Sequence, residues 1–191
     1  MGDAPRGLLG YIHPSMTDET ERTGAHPRLV LLVVGLGTFM SAASGSTVNL
    51  ALPQLGSDLG VTIDSAGWVV SSYLLSITVL LLVAGRLGDL VGLKRVYLAG
   101  FSLFGAASLV CGLSPNLHVL IAARLLQGIG ASFIMATGPA LLTTTFPGKQ
   151  RGRALGMLAT ATYSGLTVGP LAGGWVLDAF SWPWIFYING P

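Results

Sequence analysis

The sequence predicts an all-α integral membrane protein built as a helical bundle, and three observations predict it. Of 191 residues, 51% are hydrophobic and 9% charged, against about 25% Asp, Glu, Lys and Arg in soluble globular domains. Several charge-free runs reach the about 20 apolar residues that a helix needs to cross a hydrocarbon core of about 30 Å. Lys and Arg occupy every second connection between those runs. The composition excludes an ordinary soluble enzyme and an intrinsically disordered chain. The net charge of +2, from 10 basic and 8 acidic residues, is a scarcity of charge rather than a basic surface for nucleic acid.

Residues 1–28 mix Pro, Gly, Thr and both charge signs without apolar periodicity, which predicts a disordered cytoplasmic tail. Residues 29–191 form one transmembrane helical domain. Its first span covers about 29–53, ending near Pro53, because the run LVLLVVGLGTFMSAASGSTVNLAL has no charge and a proline ends a helix. The second covers about 65–85. The third covers about 96–113, stopped by the turn Ser114-Pro115-Asn116. The fourth, about 117–145, is interrupted by one charge, Arg124. The fifth covers about 154–177. A sixth starts at Trp182 and the sequence reaches Pro191 about ten residues later. The expectation is therefore about five complete spans plus the start of a sixth, incomplete at the C-terminus.

Lys and Arg resist translocation, so short basic loops mark the cytoplasmic side. Apart from Arg124, every base lies in the N-terminal tail (Arg6, Arg22, Arg28), the second-to-third loop (Arg86, Lys94, Arg95) or the fourth-to-fifth loop (Lys149, Arg151, Arg153). This alternation predicts a multi-pass protein of the cytoplasmic membrane with its N-terminus in the cytoplasm.

Three features carry cost or chemistry. An ionisable group inside a span costs about 2.5–3.5 kcal/mol, so Arg124 is the first candidate site residue, with Gln127 and Gly128 one turn later on nearly the same face. Two readings stand: structural glue that bonds neighbouring carbonyls, or a cation facing an internal aqueous cavity. The second feature is the four-residue spacing of Gly165, Gly169 and Gly173, with Pro170 and Gly174 alongside. Such a stripe admits a close neighbouring helix, either as plain packing or as a bendable gating seam. The third is the loop GRLGDLVGLKR, in which Gly85, Gly88 and Gly92 allow a tight turn and Asp89 sits among Arg86, Lys94 and Arg95. Retention by positive charge explains the bases. It does not require the acid, which is suited to an electrostatic latch. Ser44, Asn49 and Tyr73 are polar positions that could line a cavity or pack through hydrogen bonds. Trp68, Trp182 and Trp184 suit the membrane–water interface. The lone Cys111 allows no intrachain disulfide, and the isolated histidines suggest no metal site and no cofactor.

These motifs, in this order, resemble the major facilitator superfamily. G85-R-L-G-D-L-V-G-L-K-R95 resembles its signature between helices 2 and 3, R124-LLQGIGA its helix-4 motif, and G165-LTVGPLAGG174 the helix-5 motif associated with antiporters. STVNLALP and SWPWIFYINGP look like helix-1 and helix-6 patterns of the fourteen-helix multidrug:proton antiporter branch. The resemblance covers about residues 29–191. It implies the N-terminal half of a major facilitator fold, two inverted three-helix repeats around a midplane cavity, and alternating access that exchanges protons for amphipathic compounds. By motif, Gly85, Arg86, Asp89, Gly92, Lys94 and Arg95 form the latch; Arg124 is coupling-related; Gly169-Pro170 is the bend. Helix 1 of that branch often carries an acid nine residues before its proline, where this chain has Ser44, and Leu90 and Leu93 replace arginines common in the loop.

The sequence thus points to a membrane transporter and not an enzyme. No HExxH, GxSxG or GxxxxGK[ST] occurs. The implied partners are the lipid bilayer, protons, a small-molecule substrate and a C-terminal half, with no nucleic acid. Alternatives are uptake of a small nutrient, or a truncated membrane protein that transports nothing.

Overall fold

The computed structural model describes residues 26–189, so all but the last three residues of the expected N-terminal tail lie outside the described residues. Seven helices follow in order: α1 (Pro27–Leu59), α2 (Ile63–Ala66), α3 (Trp68–Val91), α4 (Leu93–Gly112), α5 (Leu117–Thr145), α6 (Gly148–Ala179) and α7 (Pro183–Tyr187), with no strand among the described residues.

α1 starts at Pro27, where the absent N–H would have been unpaired and the fixed φ suits a helix. It does not end near Pro53. An interior proline costs about 3 kcal/mol, yet the helix runs on to Leu59, because Leu55 and Gly56 beyond it are buried in the bundle. Gly60 ends it, with φ 64°: the Val61 N–H reaches the Gly56 carbonyl at 2.9 Å and the Gly60 N–H the Ser57 carbonyl at 3.4 Å, the paired bonds of a left-handed C-cap. Pro139 and Pro170 likewise lie inside continuous helices. At the start of α5 the Asn116 side chain accepts the Val119 N–H at 3.0 Å, satisfying an otherwise orphaned donor.

The glycine-rich turn expected over 85–95 shrinks to one residue. Gly85 and Gly88 are helical within α3; only Gly92, with φ 100°, breaks the backbone before α4. Gly88 serves packing instead, since a Cβ there would lie 3.0 Å from side-chain atoms of Leu93 and Thr137.

Among the described residues, four segments are long and apolar enough to cross a membrane: Pro27–Leu59, Ile63–Val91, Leu93–Gly112 and Leu117–Thr145. α6, the expected fifth span, has the length, 32 residues, but opens with GKQRGR and is rich in Gly, Ala and Thr. Its partner explains that composition. α6 lies chiefly along α1, and its small residues are the contact surface.

α5 is the hub, packing against α3, α4 and α1. A different glycine serves each neighbour. A Cβ on Gly128 would come within 2.7 Å of the Tyr73 carbonyl on α3; one on Gly130 within 2.7 Å of the Gly100 carbonyl on α4; one on Gly138 within 3.2 Å of Val34 on α1. Two apolar clusters fill the bundle. One gathers Leu55, Val69, Cys111, Leu120, Ile185 and Phe186; the other gathers Val34, Tyr73, Tyr97, Phe104, Ile134 and Leu142 at the opposite end. Trp182 is 6% exposed inside the first cluster, whereas Trp68 and Trp184 face outward at 59% and 47%. The expected interfacial role of Trp182 is replaced by core packing, its ring edge-on to Phe186 at 6.2 Å.

Candidate functional site

The two clusters meet at Arg124. α5 carries it two turns in from Leu117, about 10 Å along the axis at 1.5 Å per residue, and it is 0% exposed. The guanidinium lies over the Tyr73 ring, Cζ to centroid 4.0 Å, and 5.8 Å from the Phe186 ring. Tyr73 belongs to one cluster and Phe186 to the other, so aromatic faces from both ends of the bundle flank the cation. Each such contact is worth about 2 kcal/mol or more when desolvated.

The remaining partners are neutral oxygens. Nε donates to the Val69 carbonyl at 3.0 Å, and Nη1 donates to Ser44 Oγ at 3.1 Å and to Gln127 Oε1 at 2.6 Å. Gln127, also 0% exposed, passes the network on: its Nε2 donates to Ser108 Oγ at 2.9 Å, and the Ser108 hydroxyl donates to the Phe186 carbonyl at 2.9 Å. The Cys111 thiol points at the same Gln127 oxygen at 3.9 Å. Tyr73 is held by its own bond, hydroxyl to Ser41 carbonyl, 2.8 Å. Side chains and carbonyls of α1, α3, α4, α5 and α7 are thus joined around one charge. Nη2 of Arg124 has no hydrogen-bond partner among the described residues. The position where the family resemblance implies an acid, Ser44, is the residue facing this guanidinium.

Of the other expected site residues, Gly128 presses on α3 beside Ser76. Asn49 does not join the network; it is exposed, with its amide reaching only the Gly45 carbonyl at 3.5 Å. The glycines of α6 form a seam against α1. A Cβ on Gly165 would lie 2.5 Å from the Phe39 carbonyl, one on Gly169 2.7 Å from Ser46 Oγ, and one on Gly173 would collide with Thr47. Gly174 meets only Leu50, at 4.0 Å, and Pro170 is half-buried beside the seam. In the 85–95 segment, Arg86 and Asp89 are exposed on the last turns of α3, Gly85 has open space where a Cβ would stand, and Lys94 lines a groove between α1, α4 and α5. Among the described residues no group of three or more His, Cys, Asp or Glu assembles that could hold a metal ion.

Sequence reasoning missed Ser108, Val69 and Phe186. Ser108 had a signal, as a polar residue inside an apolar run. Val69 acts through its carbonyl, which no side-chain pattern reveals, and Phe186 contributes both its carbonyl, to Ser108, and its ring, beside the guanidinium.

Crossing helices around a buried, multiply bonded arginine define a multi-pass α-helical membrane protein with a polar node in its interior. It belongs to the Major Facilitator Superfamily, whose family model matches residues 34–191. The riboflavin transporter RibZ of Clostridioides difficile is 40% identical over 163 residues, 85% of this chain and 36% of that protein. The multidrug resistance protein Stp of Mycobacterium tuberculosis is 42% identical over 164 residues, 85% of this chain and 30% of that protein. The multidrug transporter protein MdtP of Bacillus subtilis is 37% identical over 172 residues, 89% of this chain and 32% of that protein. The chain spans about a third of the length of these relatives.

Proposed function

We propose that the chain is the N-terminal half of a transporter that exports small amphipathic compounds in exchange for protons by alternating access, in the cytoplasmic membrane with its N-terminus in the cytoplasm. The observation that carries this reading is the α1–α6 seam. Three glycines at four-residue spacing bring the two backbones together, and Pro170 beside them removes one bond of the helix ladder, leaving a surface able to slide or bend without side-chain obstruction. Relatives named for multidrug transport support the cargo class. Arg124 with Gln127 and Gly128 is the coupling node, with Ser44 and Tyr73 as its immediate shell. Gly85, Arg86, Asp89, Gly92, Lys94 and Arg95 form the cytoplasmic latch, in which the Asp89 carboxylate is suited to accept bonds from a helix N-terminus or an arginine on a neighbouring element.

The test uses everted membrane vesicles containing the complete protein. Adding a cationic amphipathic drug releases protons from the vesicle lumen; absence of release at any drug concentration defeats antiport. A second reading is uptake of a small nutrient, for which the 40% identity to a protein named for riboflavin transport supplies the cargo class. Accumulation of labelled riboflavin by intact cells, without drug-driven proton release, selects it.

A further inference from the structure

Several buried hydroxyls of the bundle turn back onto their own helix. Thr38, Ser41 and Thr137 each donate to the carbonyl four residues earlier, the usual habit of Ser and Thr in helices. Ser108 of α4, 0% exposed, does otherwise: its hydroxyl donates across to the Phe186 carbonyl of α7 at 2.9 Å. The same oxygen accepts Gln127 Nε2 at 2.9 Å, and Gln127 Oε1 accepts Arg124 Nη1 at 2.6 Å. Close packing supplies the carbonyl. A Cβ on Gly112, one turn beyond Ser108, would collide with the Tyr187 ring, and the Tyr187 hydroxyl donates to the Gly112 carbonyl at 2.9 Å, so the start of α7 is pressed onto α4.

The direction of this chain of bonds is set by donor and acceptor capacity. A guanidinium only donates, so the amide must turn its oxygen to Arg124 and its N–H to Ser108; a hydroxyl that accepts there has its one proton left for a carbonyl. The opposite facing of the amide would set N–H against N–H at Arg124 and oxygen against an already committed hydroxyl. We infer that Ser108 is a positioning residue for the coupling node: anchored on the α7 backbone, it holds the Gln127 oxygen on Arg124, and a shift of α7 off α4 loosens the guanidinium. Its part in transport rests on the proposed coupling through Arg124; the orientation of the amide does not.

Cys111 provides a reporter that needs no transport. Its thiol lies 3.9 Å from the same Gln127 oxygen, and its S–H stretch is isolated in the complete protein by subtracting the infrared spectrum of the same variant carrying Cys111→Ala. Ser108→Ala leaves Nε2 without an acceptor in the interior, a cost that draws the amide away, and the S–H band is expected to move to higher wavenumber as the oxygen leaves the thiol. Tyr187→Phe removes a bond from the same α4–α7 contact without touching Gln127, and leaves the band in place. In everted vesicles Ser108→Ala lowers drug-driven proton release about tenfold, the worth of one hydrogen bond to a charged group. An unmoved band in Ser108→Ala, an equal movement in Tyr187→Phe, or undiminished proton release by Ser108→Ala overturns the inference. If the unaltered protein releases no protons, the antiport reading falls and the band alone decides.

Discussion

At the scale of single residues, the economy of the interior rests on Gln127. It supplies the shortest bond to Arg124 and is the one link from the cation to Ser108 and on to α7. Gln127→Leu removes both and leaves a buried charge short of a partner, a change that costs about 1.5–3 kcal/mol; thermal unfolding of the detergent-solubilised protein is expected to show a drop in midpoint. Gln127→Glu keeps the acceptor, places a carboxylate beside the guanidinium and retains far more of the stability. Tyr73 divides into ring and hydroxyl in the same way. Tyr73→Phe loses only the bond to the Ser41 carbonyl, about 1 kcal/mol, whereas Tyr73→Ala also removes the face under the cation and falls well below it. Equal loss in the two variants would deny the ring its role. Arg124 itself was legible in the sequence, since one charge in a long apolar run must be explained. Part of its surroundings was not: the Val69 carbonyl that accepts from Nε comes from a residue 55 positions away in the chain, and nothing in that side chain announces it.

At the scale of helices, glycines set distances. Gly165, Gly169 and Gly173 have backbone or side-chain atoms of α1 where a Cβ would stand, while Gly152 and Gly156 on the same helix have open space. Gly169→Leu is therefore expected to part α6 from α1, and Gly156→Ala to stabilise α6 by about 0.8–1 kcal/mol through helix propensity alone. Crosslinking between cysteines placed at Phe39 and Leu166 reads the first, and the unfolding midpoint reads the second. The stripe was plain from its spacing, but spacing could not say which helix it met. The boundaries were less legible for a physical reason. A proline lowers the odds of a helix without forbidding one, so α1 passes through Pro53 once Leu55 is buried beyond it. In the 85–95 segment, glycines read as turn residues turned out to be helical, because Gly88 is needed small against Thr137 and only Gly92 adopts a backbone angle that favours glycine.

At the scale of the whole molecule, charge separates the two ends. Arg28, Arg86, Lys94, Arg95, Lys149, Arg151 and Arg153 lie at one end of the long helices, with Asp89 as the one described acid among them, and Asp58, Asp64 and Asp178 lie at the connections of the other. With Cys111 replaced by serine, a membrane-impermeant maleimide is expected to label Asn116→Cys in intact cells and Gly148→Cys only after permeabilisation. The reverse pattern would invert the proposed orientation. Fold class and helix order were legible from apolar run length and the alternation of bases, which are local quantities. The pairing of helices was not, because it depends on surfaces that meet only once the chain has folded back.

That pairing has a consequence in time. α1 has its most extensive partner in α6, and the atoms that meet across the seam, Ala43 with Gly169, are separated by most of the chain. At about 5–20 residues per second of synthesis, the first helix waits about 6–25 s for its mate. Throughout that interval the polar edge formed by Ser46 and Thr47 stands in the membrane without α6, so the newly made α1 is a natural client for whatever shelters unfinished helices during insertion.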